Sequence, residues 1–302
     1  MTQVNHPSQQ DIDNVFDFMK NCDLAEFGEP DTMFEDLEQQ WGEINIQQDA
    51  WLAYDGQGQV VGYCDLAREN ESLKIDIYIH PTLSPDGVED ELMSNCLNRV
   101  HELAAAHDMS SIPSLVAYAV HSNARQCQIY EKYGFERVNY HFRMQIDFKE
   151  PVEAPQWPAP FQLDTYHKKD EVELYQLIQS AFNWPGHITP SLESWRQHIF
   201  RGGRFDPQYF ILVRDAERLI GAALSYDEEV HGWIRQLAIH KDYQGKGLGS
   251  MLLRQMFSIY SQRNIPRVAL GVSSTNKNAC QFYERHGMYR SREFIEYRRK
   301  LE

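Results

Sequence analysis

The sequence lacks the features of secreted, membrane-spanning and disulfide-bonded proteins. No apolar run approaches the ~20 residues that a membrane-spanning helix requires, and the first residues, MTQVNHPSQQDIDN, combine neither a basic segment nor an apolar one. We therefore expect no signal peptide and a cytoplasmic location. The five cysteines are widely separated and form no CxxC pair, which favours reduced thiols over a disulfide framework or a zinc site.

Several catalytic motifs are also missing. There is no Gly-x-Ser-x-Gly elbow of a serine hydrolase and no Walker A loop. His101 and His107 flank a glutamate but stand six residues apart, not four. On a helix that spacing turns the two side chains about 240° from each other, so they cannot share a metal ion. The sequence therefore predicts no metal site.

Basic charge is scarce in the first half of the chain. Residues 1–150 contain 9 Lys and Arg against 27 Asp and Glu, a net charge of −18, whereas residues 151–302 contain 20 against 17, a net charge of +3. Nucleic-acid binding requires a basic surface, so no nucleic-acid partner is expected. The acidic half would favour a cationic ligand, and the near-neutral half could more easily hold a polyanionic cofactor.

Length and composition predict two folded domains. The chain has 302 residues, 42% of them hydrophobic and 24% charged, which is typical of globular proteins with domains of ~100–200 residues. Residues 151–160 contain four prolines, which cannot continue a helix or a central strand. We therefore predict domains at 1–150 and 161–302, joined by a proline-rich linker at 151–160.

The two halves repeat one pattern. Residues 130–135 (YEKYGF) match residues 283–288 (YERHGM), and an asparagine, Asn123 or Asn276, stands seven residues ahead of each tyrosine. Upstream, each half contains a hairpin, a strand, a loop with glycine, an amphipathic helix and a further strand. Such a repeat predicts two α/β domains, each with a mixed sheet.

A glycine-rich loop, residues 243–250 (YQGKGLGS), lies between a predicted strand and a predicted helix. Glycine lets the backbone approach a ligand closely, and the free N–H groups of a first helical turn attract anions. The loop therefore predicts a diphosphate site, although its Gly-x-Gly-x-Gly spacing is not that of a Rossmann motif. The alternative is a turn that only tightens the connection between strand and helix.

The order Gln244-x-x-Gly247-x-Gly249, followed by Asn276 and then Tyr283, resembles the two signature segments of the GNAT acetyltransferases. The resemblance extends over most of residues 160–302. It implies two tandem GNAT domains, acetyl-CoA as cosubstrate and no metal. The tandem layout is similar to that of mycothiol synthase and related two-domain members of the family.

The resemblance also implies a role for each residue of the site. Main-chain N–H groups of the loop would hold the pyrophosphate, and the backbone of the preceding strand would pair with the pantetheine arm. Tyr283 would be the general acid that protonates the leaving thiolate, although it could instead be a core aromatic residue. Asn276 would hold the cofactor arm or simply cap a helix. The implied cofactor-binding residues are Leu237, Ala238, Ile239, Gln244, Gly245, Lys246, Gly247, Leu248, Gly249, Ser250 and Asn276.

An attacking amine must lose a proton, so the site needs a general base. Asp227, Glu228, Glu229 and His231 stand in the turn before the central strand, and Glu229 and His231 are the candidates that we name as catalytic. Each of them could equally belong to a solvated acidic turn. Contacts with the acceptor are expected from residues 182–187 (FNWPGH).

The first copy departs from the family pattern at the loop. Aligning His80 with His240 places Pro85 and Asp86 opposite Gly245 and Lys246. The proline removes a backbone donor, and Glu89 adds a further carboxylate where a diphosphate would lie. Residues 1–150 are therefore predicted to form a degenerate GNAT domain that serves structure or the acceptor site.

The predicted function is N-acetyl transfer from acetyl-CoA to a primary amine of a small molecule, by direct attack in a ternary complex. The acidic first half would favour a cationic amine. The alternative is a catalytically inactive CoA-binding regulatory or scaffold protein. The sequence predicts no membrane partner and leaves a monomer and a homodimer equally open.

Overall fold

The computed structural model describes residues 2–69, 72–106, 114–182, 189–200, 205–228 and 231–301. The chain forms two compact units, of which the first comprises residues 1–141 and 292–302 and the second residues 142–291. This division differs from the boundary predicted at 151–160. The reason is that two long strands, Glu136–Asp147 and Tyr289–Lys300, each begin in one unit and end in the other.

The first unit contains one sheet with helices on both faces. Its strands follow the order β1-β2-β3-β4-β5-β12, in which β4 and β5 are parallel and the other described pairs are antiparallel. Its elements are β1 (Gln3–Asn5), α1 (Ile12–Phe27), α2 (Phe34–Glu43), α3 (Ile46–Asp49), β2 (Ala50–Tyr54), β3 (Val60–Glu69), β4 (Ser72–Tyr78), α4 (Val88–Ala106), β5 (Ser114–Val120), α5 (Ala124–Lys132), the start of β6 (Glu136–Asp147) and the end of β12 (Tyr289–Lys300).

The alternation of side chains along β3 gives this unit two hydrophobic clusters. Cys64 and Leu66 pack with residues of α4, whereas Tyr63 packs with residues of α1 and α2. Successive side chains of a strand point to opposite faces, so each face of the sheet is covered by different helices.

The second unit repeats this architecture. Its strands follow the order β6-β11-β10-β9-β8-β7, with β10 and β11 parallel and the pairs from β10 to β7 antiparallel. Its elements, besides the end of β6 and the start of β12, are β7 (Phe161–Thr165), α6 (Glu171–Ala181), α7 (Leu192–Ile199), β8 (Phe210–Asp215), β9 (Arg218–Glu228), β10 (His231–Ile239), α8 (Leu248–Gln262), β11 (Arg267–Ser273) and α9 (Lys277–Arg285).

The structure confirms the elements predicted from sequence patterns. β2 and β3 form one predicted hairpin and β8 and β9 the other. Along α8, Leu248, Leu252 and Met256 are buried at the predicted helical spacing. All five cysteines are unpaired and buried. Among the described helices, none is both long and apolar enough to cross a membrane.

Candidate active site

The glycine-rich loop of the second unit leads directly into α8. Gly245 and Gly247 have φ values of +75° and +83°, and Gly247 is the residue from which the helix starts. Glycine is favoured there because a side chain strains a backbone with positive φ. A Cβ atom added at either glycine would meet nothing within 4 Å. The loop backbone is therefore open on its outer side.

The first turn of α8 offers backbone donors to a ligand. The first hydrogen bond of the helix runs from the N–H of Met251 to the carbonyl of Gly247 at 3.1 Å, which leaves the N–H groups of residues 248–250 without acceptors inside the helix. No side chain of the described residues caps this end of the helix. Free donors at the positive end of a helix dipole fit a diphosphate.

Gln244 and Lys246 have separate roles in this loop. The Gln244 side chain donates a hydrogen bond to the carbonyl of Ile239 at 3.0 Å and so ties the loop to the end of β10. Lys246 is exposed, with its Nζ 4.7 Å from the centre of the Tyr243 ring. The loop thus presents a cation and a row of N–H groups on its open side.

β10 has an open edge beside this loop. It pairs with β11 at only two described positions, Gly232 with Val268 and Trp233 with Ala269. On its other side, β10 pairs with β9 as far as Ile239. Beyond Trp233, the described chain therefore places no strand against the edge that faces β11. An extended ligand with amide groups can pair with such an edge as an added strand. Leu237, Ala238 and Ile239, which the sequence assigned to the cofactor, lie on this stretch.

A β-bulge interrupts β10 where the two strands separate. Ile234 pairs with Ser225 and Gln236 with Leu224, so Arg235 is the extra residue. A bulge changes the alternation of side chains along a strand. After the bulge, Gln236 accepts a hydrogen bond from the indole of Trp195 in α7 at 3.1 Å. Sequence reasoning missed this feature because one inserted residue leaves no periodic signal.

Tyr283 lies on α9 with its hydroxyl available. The hydroxyl forms no hydrogen bond within the described part of the chain, and its side chain is partly exposed. Burial raises the pKa of Tyr283 to about 12, so the group carries its proton at neutral pH. Asn276 is a helix cap, since its side-chain oxygen accepts a hydrogen bond from the N–H of Ala279 at 3.1 Å.

The candidate bases differ in their surroundings. His231 is buried, and its Nε2 lies 3.3 Å from a carboxylate oxygen of Glu228. Asp227 accepts a hydrogen bond from the hydroxyl of Tyr209 at 3.0 Å. Glu229 lies outside the described residues, as do residues 183–187 of the segment predicted to contact the acceptor. His231 is therefore a buried base whose imidazole lies beside a carboxylate.

In the first unit, the side chain of Arg125 is bonded to the loop that precedes α4. The Arg125 guanidinium donates to the carbonyls of Ser84 and Pro85 at 3.0 and 2.8 Å. It also forms an ion pair with Glu89 at 2.6 Å. At the repeat offset of 153, the residue that corresponds to Arg125 is Asn278. The guanidinium thus binds two backbone carbonyls of this loop and neutralises the Glu89 carboxylate.

The strand edge of the first unit is filled as well. Gln126 donates to the carbonyl of Ile77 at 3.0 Å, and the hydroxyl of the buried Tyr130 contacts the carbonyl of Ile75 at 3.5 Å. The residue that corresponds to Gln126 is Ala279, which is too short to reach the strand. The register of β3 and β4 is continuous, without a bulge. Within the described chain, the second unit alone combines an open loop with an open strand edge.

Comparisons with known proteins agree with this repeat. Residues 172–288 match the model of the acetyltransferase (GNAT) family, and residues 3–136 match that of an acetyltransferase (GNAT) domain. The chain is 30% identical over 97 residues to N-alpha-acetyltransferase 30 of Schizosaccharomyces pombe, a match that covers 30% of the chain and 64% of that protein. It is 28% identical over 144 residues to mycothiol acetyltransferase of Rhodococcus jostii, covering 43% of the chain and 46% of that protein. The chain thus matches less than two thirds of the length of each relative.

Solved structures share the whole architecture. A GCN5-related N-acetyltransferase from Sphaerobacter thermophilus superposes with a TM-score of 0.81 at 22% identity, over 99% of this chain and 95% of that one. A tandem GNAT protein from the clavulanic acid biosynthesis pathway gives a TM-score of 0.74 at 15% identity, over 99% and 98% of the two chains. At these identities, the likeness bears on the fold alone.

Proposed function

Because the chain belongs to the GNAT family of acetyltransferases, we propose that its second unit transfers an acetyl group from acetyl-CoA to a primary amine. The observation that carries this proposal is the open edge of β10, which runs from the bulge toward the donor-rich loop before α8. In the first unit, side chains of the chain itself contact the corresponding loop and strand edge.

The residues of the second unit fit the diphosphate and the pantetheine arm of acetyl-CoA. The N–H groups of residues 245–250 hold the diphosphate, and the positive end of the α8 dipole adds to the attraction. The backbone of Leu237 and Ile239 pairs with the amides of the pantetheine arm. Asn276 stands at the start of α9 and, besides capping it, lines the other side of the arm.

Acetyl-CoA, when bound, supplies a thioester whose carbonyl carbon forms the new bond to the amine nitrogen and whose sulfur leaves. The Tyr283 hydroxyl, like an ordinary tyrosine, is protonated at neutral pH, and burial raises its pKa further, to about 12. It donates that proton to the departing sulfur. His231 takes the proton that the amine loses, directly or through water, and Glu228 orients its ring.

The test uses the purified full-length chain. Calorimetry with acetyl-CoA should show one site per chain, and a thiol-release assay with a panel of primary amines should show acetyl-CoA consumption that depends on the amine. Binding without thiol release for any amine would instead identify a catalytically inactive CoA-binding protein. Absence of binding would reject the assignment of the site altogether.

A further inference from the structure

The residue inserted at the bulge of β10 is an exposed arginine in an interior strand. β10 has β9 on one side and β11 on the other in the strand order, and its neighbouring residue Ile234 is only 3% exposed. Arg235 nevertheless is exposed. Arg235 lies two residues beyond Trp233, the last described residue of β10 that pairs with β11. It is therefore exposed where the two strands have separated.

The Arg235 guanidinium is unpaired in the part of the chain that the structure describes. It forms no hydrogen bond and no ion pair with any residue in the described ranges. Two other arginines of this unit have carboxylate partners, Arg214 with Asp170 at 2.8 Å and Arg267 with Asp147 at 3.1 Å, whereas the exposed Arg254 of α8 is, like Arg235, unpaired among the described residues. A guanidinium presents several donors in a planar fork that fits a carboxylate.

Arg235 has no counterpart in the first unit. β4 pairs with β3 without a bulge, and Ile75, which pairs with Leu66, corresponds to Ile234, which pairs with Ser225. Both isoleucines are buried. The arginine is therefore an inserted residue found in the unit whose strand edge is open.

Further groups make this part of the second unit suitable for an anion. Trp233, two residues before Arg235, is partly exposed. The Arg143 guanidinium lies over its ring, with the central carbon 5.2 Å from the ring centre. The nearby carboxylate of Glu228 is paired with His231. Trp233 thus lies beside the Arg143 guanidinium and two residues from the Arg235 guanidinium.

Arg235 is too far from the glycine-rich loop to serve the diphosphate. Four further residues of β10 separate it from the end of the strand at Ile239, which is about 13 Å at ~3.3 Å per residue. The bulge lies at the end of the open strand edge that is farther from the loop, which is where the acetyl group of the bound cosubstrate would lie.

We propose that Arg235 binds a carboxylate of the reacting molecules, so that the acceptor is an amine that also carries a carboxylate, as an amino acid does. This inference rests on the proposed acetyl transfer by the second unit. The same chemistry could come from a second source, the free carboxylate of a dicarboxylic acyl thioester, and the experiment separates the two.

The experiment uses the full-length chain and three pairs of probes, each an amino acid and the amine left without its carboxylate: L-lysine and cadaverine, L-ornithine and putrescine, L-phenylalanine and phenethylamine. The kcat/KM of acetyl transfer is measured for each probe by thiol release. A second arm compares succinyl-CoA with butyryl-CoA by calorimetry. The variants are Arg235→Gln, Arg235→Lys and, as control, Arg254→Gln, which changes an exposed arginine of α8.

We expect at least a tenfold preference for the amino acid in one or more pairs, lost in Arg235→Gln, partly kept in Arg235→Lys and unchanged in Arg254→Gln. A preference for succinyl-CoA over butyryl-CoA that disappears in Arg235→Gln would place the carboxylate on the acyl group. If neither arm shows a preference that depends on Arg235, the inference is wrong. Acetyl-CoA binding in the same samples separates this result from failure of the proposed function, which predicts binding in every variant.

Discussion

Two tyrosines occupy the same position of the repeat but have opposite surroundings. Tyr130 is completely buried, and its hydroxyl contacts the carbonyl of Ile75. Tyr283 is partly exposed, and its hydroxyl has no hydrogen bond to the part of the chain that the structure describes. A hydroxyl that the protein itself does not use can serve a ligand, so the two residues form a natural test and control.

Replacing Tyr283 with Phe should lower kcat by ~10² or more and leave the affinity for acetyl-CoA nearly unchanged, because general acid catalysis contributes ~10²–10⁴ and the ring is retained. Tyr130→Phe should leave kcat unchanged. Steady-state kinetics of both variants check the prediction. Equal losses of kcat in the two variants would show that the reaction does not depend on Tyr283 as an acid.

Glu296 of the first unit should contribute to stability in a pH-dependent way. Hydrogen bonds from His141, at 2.9 Å, and from Arg298 lower the pKa of Glu296 to about 2. The folded-state pKa is below the usual value, so the contribution is present above about pH 4.5 and is lost as the pH falls toward 2. Glu296→Gln should cost about 1–2 kcal/mol at pH 7, and the difference from the unchanged chain should shrink between pH 4.5 and 3.

Urea unfolding at several pH values measures this effect. The control is Glu293→Gln on the same strand, whose exposed pair with His121 at 3.2 Å should contribute less than about 1 kcal/mol. A cost for Glu296→Gln that does not vary between pH 7 and 3 would contradict the prediction.

The sequence predicts residue types at this site better than it predicts their partners. Tyr283, Asn276 and the loop glycines were named from the resemblance of their motifs to the GNAT signature segments. The Arg125 contacts with Ser84 and Pro85, in contrast, join residues about 40 positions apart, and no local pattern reports such a contact. The sequence thus indicates that the first loop is a poor diphosphate site, and the structure adds that its carbonyls and Glu89 are bonded to the Arg125 guanidinium.

At the scale of elements, the two loops that precede α4 and α8 share backbone geometry but not chemistry. Gly87 has a φ of +89° and Gly247 a φ of +83°, and a Cβ atom added at either would meet nothing within 4 Å. Substitution should therefore strain both backbones equally. The two loops differ in their surroundings, which are charged side chains in one case and free N–H groups in the other.

Gly247→Asp should weaken acetyl-CoA binding at least tenfold, because a carboxylate would lie at the diphosphate site and the loop backbone would be strained. Gly87→Asp should lower the melting temperature about as much as Gly247→Asp does, but it should leave the acetyl-CoA affinity unchanged. Calorimetry, with a stoichiometry near one site per chain, and thermal melting test both statements. Weaker binding in Gly87→Asp would place a cofactor site in the first unit as well.

Elements with a regular pattern were predictable, and irregular ones were not. The alternating spacing of apolar residues predicted the two hairpins and β10, and their helical spacing predicted α8. Each of these elements buries one face, and a buried face leaves a periodic pattern in the sequence. The bulge at Arg235 depends on how β10 pairs with β9, and the separation of β10 from β11 depends on two strands 28 residues apart at their nearest ends. These features arise from pairing between strands, which a single segment does not encode.

For the whole molecule, the proline-rich linker is a boundary of composition and not of packing. Residues 142–147, before the linker, belong to the second unit, and residues 292–300, at the far end of the chain, belong to the first. In the second unit, Asp147 pairs with Arg267 at 3.1 Å, and the N–H of Phe148 donates to the carbonyl of Pro266 at 2.8 Å. Each unit therefore needs residues from both sides of the linker.

The folded protein should tolerate cleavage of the linker, whereas a fragment that lacks the residues on one side of the linker should be unstable. A protease recognition sequence inserted between Glu153 and Ala154, which are both exposed, should allow cleavage with little change in melting temperature, and the two pieces should co-elute. The fragment 155–302 expressed alone lacks the β6 strand of its own unit and should aggregate or melt far lower. A soluble fragment as stable as the full chain would show that β6 is dispensable.

The exchange of end strands also sets an order of events during protein synthesis. The final strand of the first unit, β12, pairs with β5 at positions such as Phe294 with Val120, yet it is synthesised after the strands of the second unit. At ~5–20 residues per second, the edge of β5 waits roughly 10–30 s for its partner while the second unit is translated. During that interval the nascent chain presents an unpaired strand edge, the kind of surface that chaperones bind and that aggregation uses. A chain whose translation stops before β12 would therefore contain nearly all of the first unit but lack the strand that pairs with β5.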